Sequence, residues 1–233
     1  MYFNYYTMSF ILIPGIILAI IAQIKVDTTF RKYSSIIAQC GRSASEIARI
    51  FLDNAGLQNI QVVKTRGHLT DYYHHNKKIL ALSESVYDSN SVAAIGIACH
   101  EVGHALQYKT KYIPIMVRNL VVHMCNFTDR MLWVLIILGF IFYYTTIGNI
   151  FLWAGVGIFG LSVILNLITL PVEFNASKRA IKLLRNSTIL SNEETQQAKK
   201  VLNAAALTYI ASIVISILNL LRIALSLFVS NRD

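Results

Sequence analysis

The sequence is short of charge and of cysteine. Only 14% of its 233 residues are Asp, Glu, Lys or Arg, where a soluble domain averages about a quarter. The shortage is concentrated: no charged side chain occurs from Met1 to Ile24, from Met131 to Val172, or from Val201 to Leu221. Three such gaps exclude an ordinary soluble globule, and 55% hydrophobic residues exclude a disordered chain. Cys40, Cys99 and Cys125 are too few and too scattered for a disulfide framework or a thiolate zinc site, and they suit a reducing compartment. What remains is an integral membrane protein with a small polar part.

Positive charge is what the chain does have. Its 21 Lys and Arg against 12 Asp and Glu give a net charge of +9. No aromatic-interleaved basic patch and no nucleic-acid motif accompanies the excess, so no nucleic-acid partner is expected. Loops on the cytoplasmic side of a membrane collect such charge instead. A helical span takes about 20 apolar residues. The gaps supply four, at 8–24, 131–147, 150–170 and 204–228, with Gly148-Asn149 as the turn inside the long second gap. The fourth runs through Arg222, whose stem reaches toward an interface. The first has no Lys or Arg before it and no small-residue cleavage site after it, so it reads as a retained span, not a signal peptide. Lys25, Arg31 and Lys32 follow the first span, and Lys178, Arg179, Lys182 and Arg185 follow the third. Keeping them inside puts 25–130 and 171–203 in the cytoplasm and both termini outside, with only Arg222 and Arg232 of the 21 cations on the far side. Tyr2, Tyr5, Tyr6 and the Tyr143-Tyr144 pair read as interface anchors.

The polar stretches predict a small α+β unit. Ser43 and Glu46 have capping-box spacing, Ala44, Ile47, Ala48, Phe51 and Leu52 share one face, and Gly56 is a stop, which predicts a helix over 43–56. Residues 60–63 read as a strand. Leu69 to Tyr73 and Lys78 to Leu82 read as a hairpin around His74-His75-Asn76. Helices follow over 90–108, 175–186 and 193–203.

The 90–108 helix contains His100-Glu101-Val102-Gly103-His104. Histidines at i and i+4 project from one helical face, a spacing that lets both imidazoles bind one Zn2+. Glu101 stands beside them, where a carboxylate can take the proton of an attacking water. The plain alternative is a solvated surface helix. Its flanks, Ile95 to Cys99 and Ala105-Leu106, are apolar, so the helix is expected to be buried, and three buried ionisable groups need a partner such as a metal. A catalytic zinc takes a third protein ligand. Thr110 stands where an extended motif would place a third histidine, which leaves Glu173, His68, His74, His75 and His123 as candidates. Two spans separate His104 from Glu173, so both lie on one membrane face, and a carboxylate just after Pro171 at the hydrocarbon boundary calls for coordination. Its plainer reading is an interfacial charge paired with Lys178 or Arg179. Ser177, four residues on, shares its face and is a candidate partner for a ligating imidazole. His74 and His75 read as a solvated turn, His123 as interfacial, and Cys99 as a buried thiol facing away from the pair.

With these residues in view, the chain resembles the YugP-like family of bacterial membrane-bound neutral zinc metallopeptidases, and more distantly the HtpX and CAAX-protease type of membrane gluzincin. The likeness runs nearly end to end, through Gly67 to Asp71, Leu82 to Glu84, His100 to Gln107, Leu170 to Ser177 and Ala198 to Tyr209. The resemblance implies His100, His104 and Glu173 as zinc ligands, Glu101 as catalytic base, and a zincin-like active site facing the cytoplasm at the membrane surface. Asn175 stands where that family usually has Asp, and Cys99 where a small Ala is common. His68 and Asp71 are candidates for substrate binding or oxyanion stabilisation, and the Lys78–Leu82 strand for an edge to which an extended peptide adds. The expectation is therefore a multi-pass helical protein of the cytoplasmic membrane, with four transmembrane helices and a small α+β catalytic domain. It would use Zn2+ to hydrolyse membrane-associated proteins or peptides. An inactive zinc-binding scaffold is the alternative, and the retained Glu101 speaks against it. An ion transporter would want ionisable groups within its spans, which hold only Arg222.

Overall fold

The computed structural model describes residues 9–142 and 145–230, without the side chains at 123–133, 136, 140, 152 and 226–230. The expected tyrosine anchors, and the side chain of His123, lie outside the described residues. The chain divides into two compact units. One comprises Met1–Ile21, Met116–Leu170 and Thr208–Asp233, the other Ala22–Ile115 and Pro171–Leu207.

The second unit carries the polar sequence. After helix α1 (Ile13–Ser34), helix α2 spans Ala44–Asn54. Ser43 caps it: its hydroxyl accepts from the Glu46 N–H while the Glu46 carboxylate accepts from the Ser43 N–H at 2.8 Å. Its far end closes on Gly56 at φ +66°, with Leu57 N–H donating to the Leu52 carbonyl and Gly56 N–H to that of Asp53. Ala44, Ile47, Ala48, Phe51 and Leu52 are buried, as the spacing predicts.

Three short strands follow, β1 (Gln61–Thr65), β2 (Tyr72–His74) and β3 (Ile79–Ser83), in the order β1-β3-β2. The hairpin between β2 and β3 is present, with Tyr73 opposite Leu80. The Lys78–Leu82 strand is not an edge. Strand β3 is the middle strand, antiparallel to β2 and parallel to β1, which returns along its other side with Val62 opposite Leu80. Leu80, Ala81 and Leu82 are fully buried, and an apolar run of that kind belongs in the middle of a sheet. Free edges belong to β1 and β2.

Helix α3 (Val92–Lys109) starts on Ser91, whose hydroxyl accepts from the Ala94 N–H. It is buried along nearly its whole length, Glu101 and Gln107 included.

Helices α4 (Ile113–Ile141), α5 (Thr146–Arg185) and α6 (Asn192–Ser230) complete the chain. Among the described residues, three helices are long and apolar enough to cross a membrane: Phe10–Ser34, Thr146–Arg185 and Asn192–Leu225. The expected span at 131–147 falls mainly on α4, where much of the side-chain detail is outside the described residues. Gly148-Asn149 is not the turn. Thr145 accepts the Gly148 N–H on its hydroxyl and starts α5 before the glycine. Nor are 175–186 and 193–203 separate helices, because each is continuous with an apolar helix. Pro171 lies inside α5 and withdraws one donor without ending it. At 1.5 Å per residue α5 is about 60 Å long, about twice a bilayer's hydrocarbon thickness, so half of it extends beyond any span.

Candidate metal centre

One turn of α3 and the stretch of α5 just after Pro171 meet within the second unit. The closeness depends on Gly103. A Cβ there would stand 2.5 Å from the Ala176 carbonyl oxygen, a contact that backbone cannot relieve by rotating a side chain. Only glycine allows this approach, and it sits one residue before His104, so the same turn presents the imidazoles to α5.

His100 and His104 face one another with ring centroids 4.8 Å apart at 88°. Glu173 reaches both. Its Oε2 lies 3.2 Å from His100 Nε2 and 3.5 Å from His104 Nε2. Donors bound to one tetrahedral ion at about 2.0–2.1 Å stand roughly 3.3 Å apart. Both contacts of the Glu173 oxygen thus have the spacing of two ligands on one small ion. His100, Glu101 and His104 also form a potential cluster, with ligand atoms within 4.8 Å of one another. Both carboxylates thus lie within reach of the two imidazoles.

The remaining nitrogens fix which atom faces the cluster. Gln107 is fully buried, and its Nε2 donates to the Val172 carbonyl at 2.7 Å and to Asn175 Oδ1 at 3.1 Å. Its oxygen is therefore the atom 3.0 Å from His104 Nδ1, which must carry the proton. That leaves the lone pair on His104 Nε2, the atom near Glu173. Ser177 Oγ stands 3.1 Å from His100 Nδ1 and can do the same for the other ring. Asn175 Oδ1 also accepts from Arg179 Nε at 2.8 Å, and Arg179 donates to the Leu106 carbonyl. Arg179 is thus bound to Asn175 and α3, and the described ion pairs of Glu173 are with the two histidines. Sequence reasoning singled out Ser177, gave Gln107 no part here, and considered Arg179 only as an ion-pair partner of Glu173.

Glu101 is 7% exposed. Burial pushes its carboxyl up, and the neighbouring imidazoles only partly offset that. Burial alone would lower His104. The Glu173 carboxylate, with Glu101 behind it, outweighs that and holds the imidazole above its ordinary value. Two buried carboxylates beside two imidazoles form a donor set suited to a cation.

The other expected residues lie further out. Asp71 accepts from the Ser83 N–H at 2.7 Å and from its hydroxyl, tying the chain before β2 to the end of β3. Burial raises its carboxyl more than those bonds lower it, and its charge is near enough to raise Glu101 in turn. His68 is exposed and packs edge-on against Phe30 of α1, 4.0 Å from Asp27. His74 ends β2, while His75 stacks on Tyr108 at 4.0 Å. The structure brings together His100, Glu101, His104, Glu173 and Ser177, and leaves His68 outside that group.

Residues 8–228 match the model of a family described as "Putative neutral zinc metallopeptidase". The chain is also 39% identical over 225 residues to the "Putative membrane protease YugP" of Bacillus subtilis (strain 168), covering 96% of this chain and 97% of that protein. No solved structure matches.

Proposed function

Because the chain belongs to the neutral zinc metallopeptidase family, we propose that it is a membrane-bound gluzincin-type endopeptidase in which His100, His104 and Glu173 hold the zinc ion and Glu101 is the general base. The observation that carries the reading is the convergence of two Nε2 atoms and one carboxylate oxygen at 3.2 and 3.5 Å, with the Glu101 carboxylate beside them.

Bound there, Zn2+ supplies Lewis-acid chemistry, lowering the pKa of a water toward about 7 and polarising the scissile carbonyl. The protein's own groups do the rest. Ser177 and Gln107 hold the Nδ1 protons and so keep both Nε2 lone pairs turned to the ion. Glu101 accepts the proton of the attacking water and delivers it to the leaving amine. A carboxyl that burial pushes above its ordinary value holds a proton more readily, which suits both halves of that transfer. The apolar packing of Ala98, Cys99, Val102 and Ala105 keeps bulk water from the back of the site.

In the full reading, α3 and the three-stranded sheet form a zincin-like catalytic domain on the cytoplasmic side, and residues 131–147 complete a fourth span. Substrates are proteins or peptides at the inner membrane surface. The distribution of Lys and Arg supports that sidedness. With the wild type binding about one zinc per chain, Glu101→Gln is expected to keep the metal and lose at least a hundredfold in peptide cleavage, about what a general base contributes. Full activity in that variant would remove Glu101 from the chemistry. Glu173→Ala is expected to lose zinc, and retention at wild-type affinity would move the third ligand elsewhere.

A further inference from the structure

Beside the metal centre, within the same unit, α5 and α6 enclose a cavity of about 590 Å³. Its lining carries four cations, Lys178, Lys182 and Arg185 from α5 and Lys199 from α6, and no carboxylate. All four are exposed, and none takes part in an ion pair among the described residues. Positions 178, 182 and 185 are i, i+4 and i+7, one face of one helix, where like charges repel. Preference for the cytoplasmic side accounts for the number of Lys and Arg in this segment. It does not account for two helices aiming four of them into one hollow free of acid. That arrangement calls for an anion.

The walls say which kind. Ile181 and Leu202 are buried beneath the cations, and the exposed ring of Phe174 closes one side. These cations begin six residues after the charge-free run ends at Val172, so the hollow opens where a bilayer's polar surface is expected. A small soluble anion has no use for an aromatic and aliphatic wall. A phosphodiester with glycerol and acyl chains attached uses both.

We propose that this cavity binds the phosphate headgroup of an anionic phospholipid. Its cations neutralise the phosphate, and Phe174, Ile181 and Leu202 contact the glycerol and upper acyl carbons. Ser177 is one of the wall residues and also the partner of His100 Nδ1, so the lipid lies one side chain away from the metal centre. The site itself does not depend on the peptidase reading: a chain that bound no zinc would leave it standing.

The test uses the full-length protein in a nonionic detergent. Binding of phosphatidylglycerol with a fluorescent acyl chain is measured by energy transfer from the tryptophans, with phosphatidylcholine of the same chains as comparison. Phosphatidylglycerol is expected to bind at least tenfold more tightly. At about fivefold per lysine, the variant K178Q/K182Q/K199Q is expected to weaken it about a hundredfold, and the single K199Q about fivefold. The variant R42Q/R66Q/K77Q, which removes three cations outside the cavity, is expected to change it less than twofold. Zinc content and circular dichroism check that each variant is folded, and K199Q carries the test should the triple variant not be. Equal binding of the two lipids, wild-type affinity in K199Q, or an equal loss in R42Q/R66Q/K77Q would overturn the proposal. So would displacement of the lipid by inorganic phosphate at the same concentration, which would make the ligand a free anion.

Discussion

At the residue scale the centre depends on hydrogen bonds that orient side chains which do not themselves touch a metal. Gln107 is fixed by the Val172 carbonyl, and it in turn fixes the tautomer of His104. Gln107→Ala is expected to lower zinc affinity about 10–100-fold with little loss of helix, measured by competition with a chelating dye. Asn175 accepts from both Gln107 and Arg179, so a carboxylate at this position would meet two donors. Asn175→Asp is therefore expected to retain zinc and to stabilise the fold slightly, read from the melting temperature. The candidate metal-ligating residues were the most legible part of the sequence, because i, i+4 histidines flanking a glutamate on a buried helix have few other uses. Gln107 was not legible: a buried glutamine three residues on looks like any other helix residue until its partners on α5 are known. The alternative reading of Glu173, an ion pair with Lys178 or Arg179, failed for a similar reason. Spacing along α5 cannot show that Arg179 turns toward Leu106 on another helix.

At the scale of elements, caps decide what can be read. Ser43, Glu46 and Gly56 bounded α2 correctly because each end has a local chemical signal. Helices α5 and α6 were divided at their changes in polarity, yet Pro171 does not end α5 and a helix does not end merely because its surroundings change. The order of strands was out of reach for another reason. Strand β1 pairs with β3 in parallel across the hairpin, and such pairing leaves no local mark. The contact between α3 and α5 gives a sharp test. Gly103→Ala gains about 1 kcal/mol of helix propensity. It also drives a methyl into the Ala176 carbonyl, an overpacking that costs about 1–3 kcal/mol and more where backbone must move. Packing is expected to win, so the variant should melt lower and lose zinc, and a rise in melting temperature would show that the helices can part without penalty.

For the whole molecule, composition alone marked out the three helices among the described residues that are long and apolar enough to cross a membrane. How the cytoplasmic side would be identified follows from the cysteines. Cys40 is half-buried in a loop of the polar unit, whereas Cys99 is fully buried and its thiol is pushed up by burial. A membrane-impermeant maleimide is expected to label Cys40 in inside-out vesicles and not in right-side-out ones, by peptide mapping, with Cys99 silent in both. Labelling of Cys40 from the outer side would reverse the orientation.

The donors that converge at the centre stand 73 residues apart, His100 on one helix and Glu173 on another. A shared ion between them is a cross-link, and it closes a loop that takes in the whole of α4. Loop-closure entropy for a ring of that length is worth about 4 kcal/mol on the scale used for disulfides. Stripping the ion with a chelator should therefore do more than silence the enzyme. It should cut a tie between the middle and last thirds of the chain, visible as a lower melting temperature and new protease-sensitive bonds between Lys109 and Ile113.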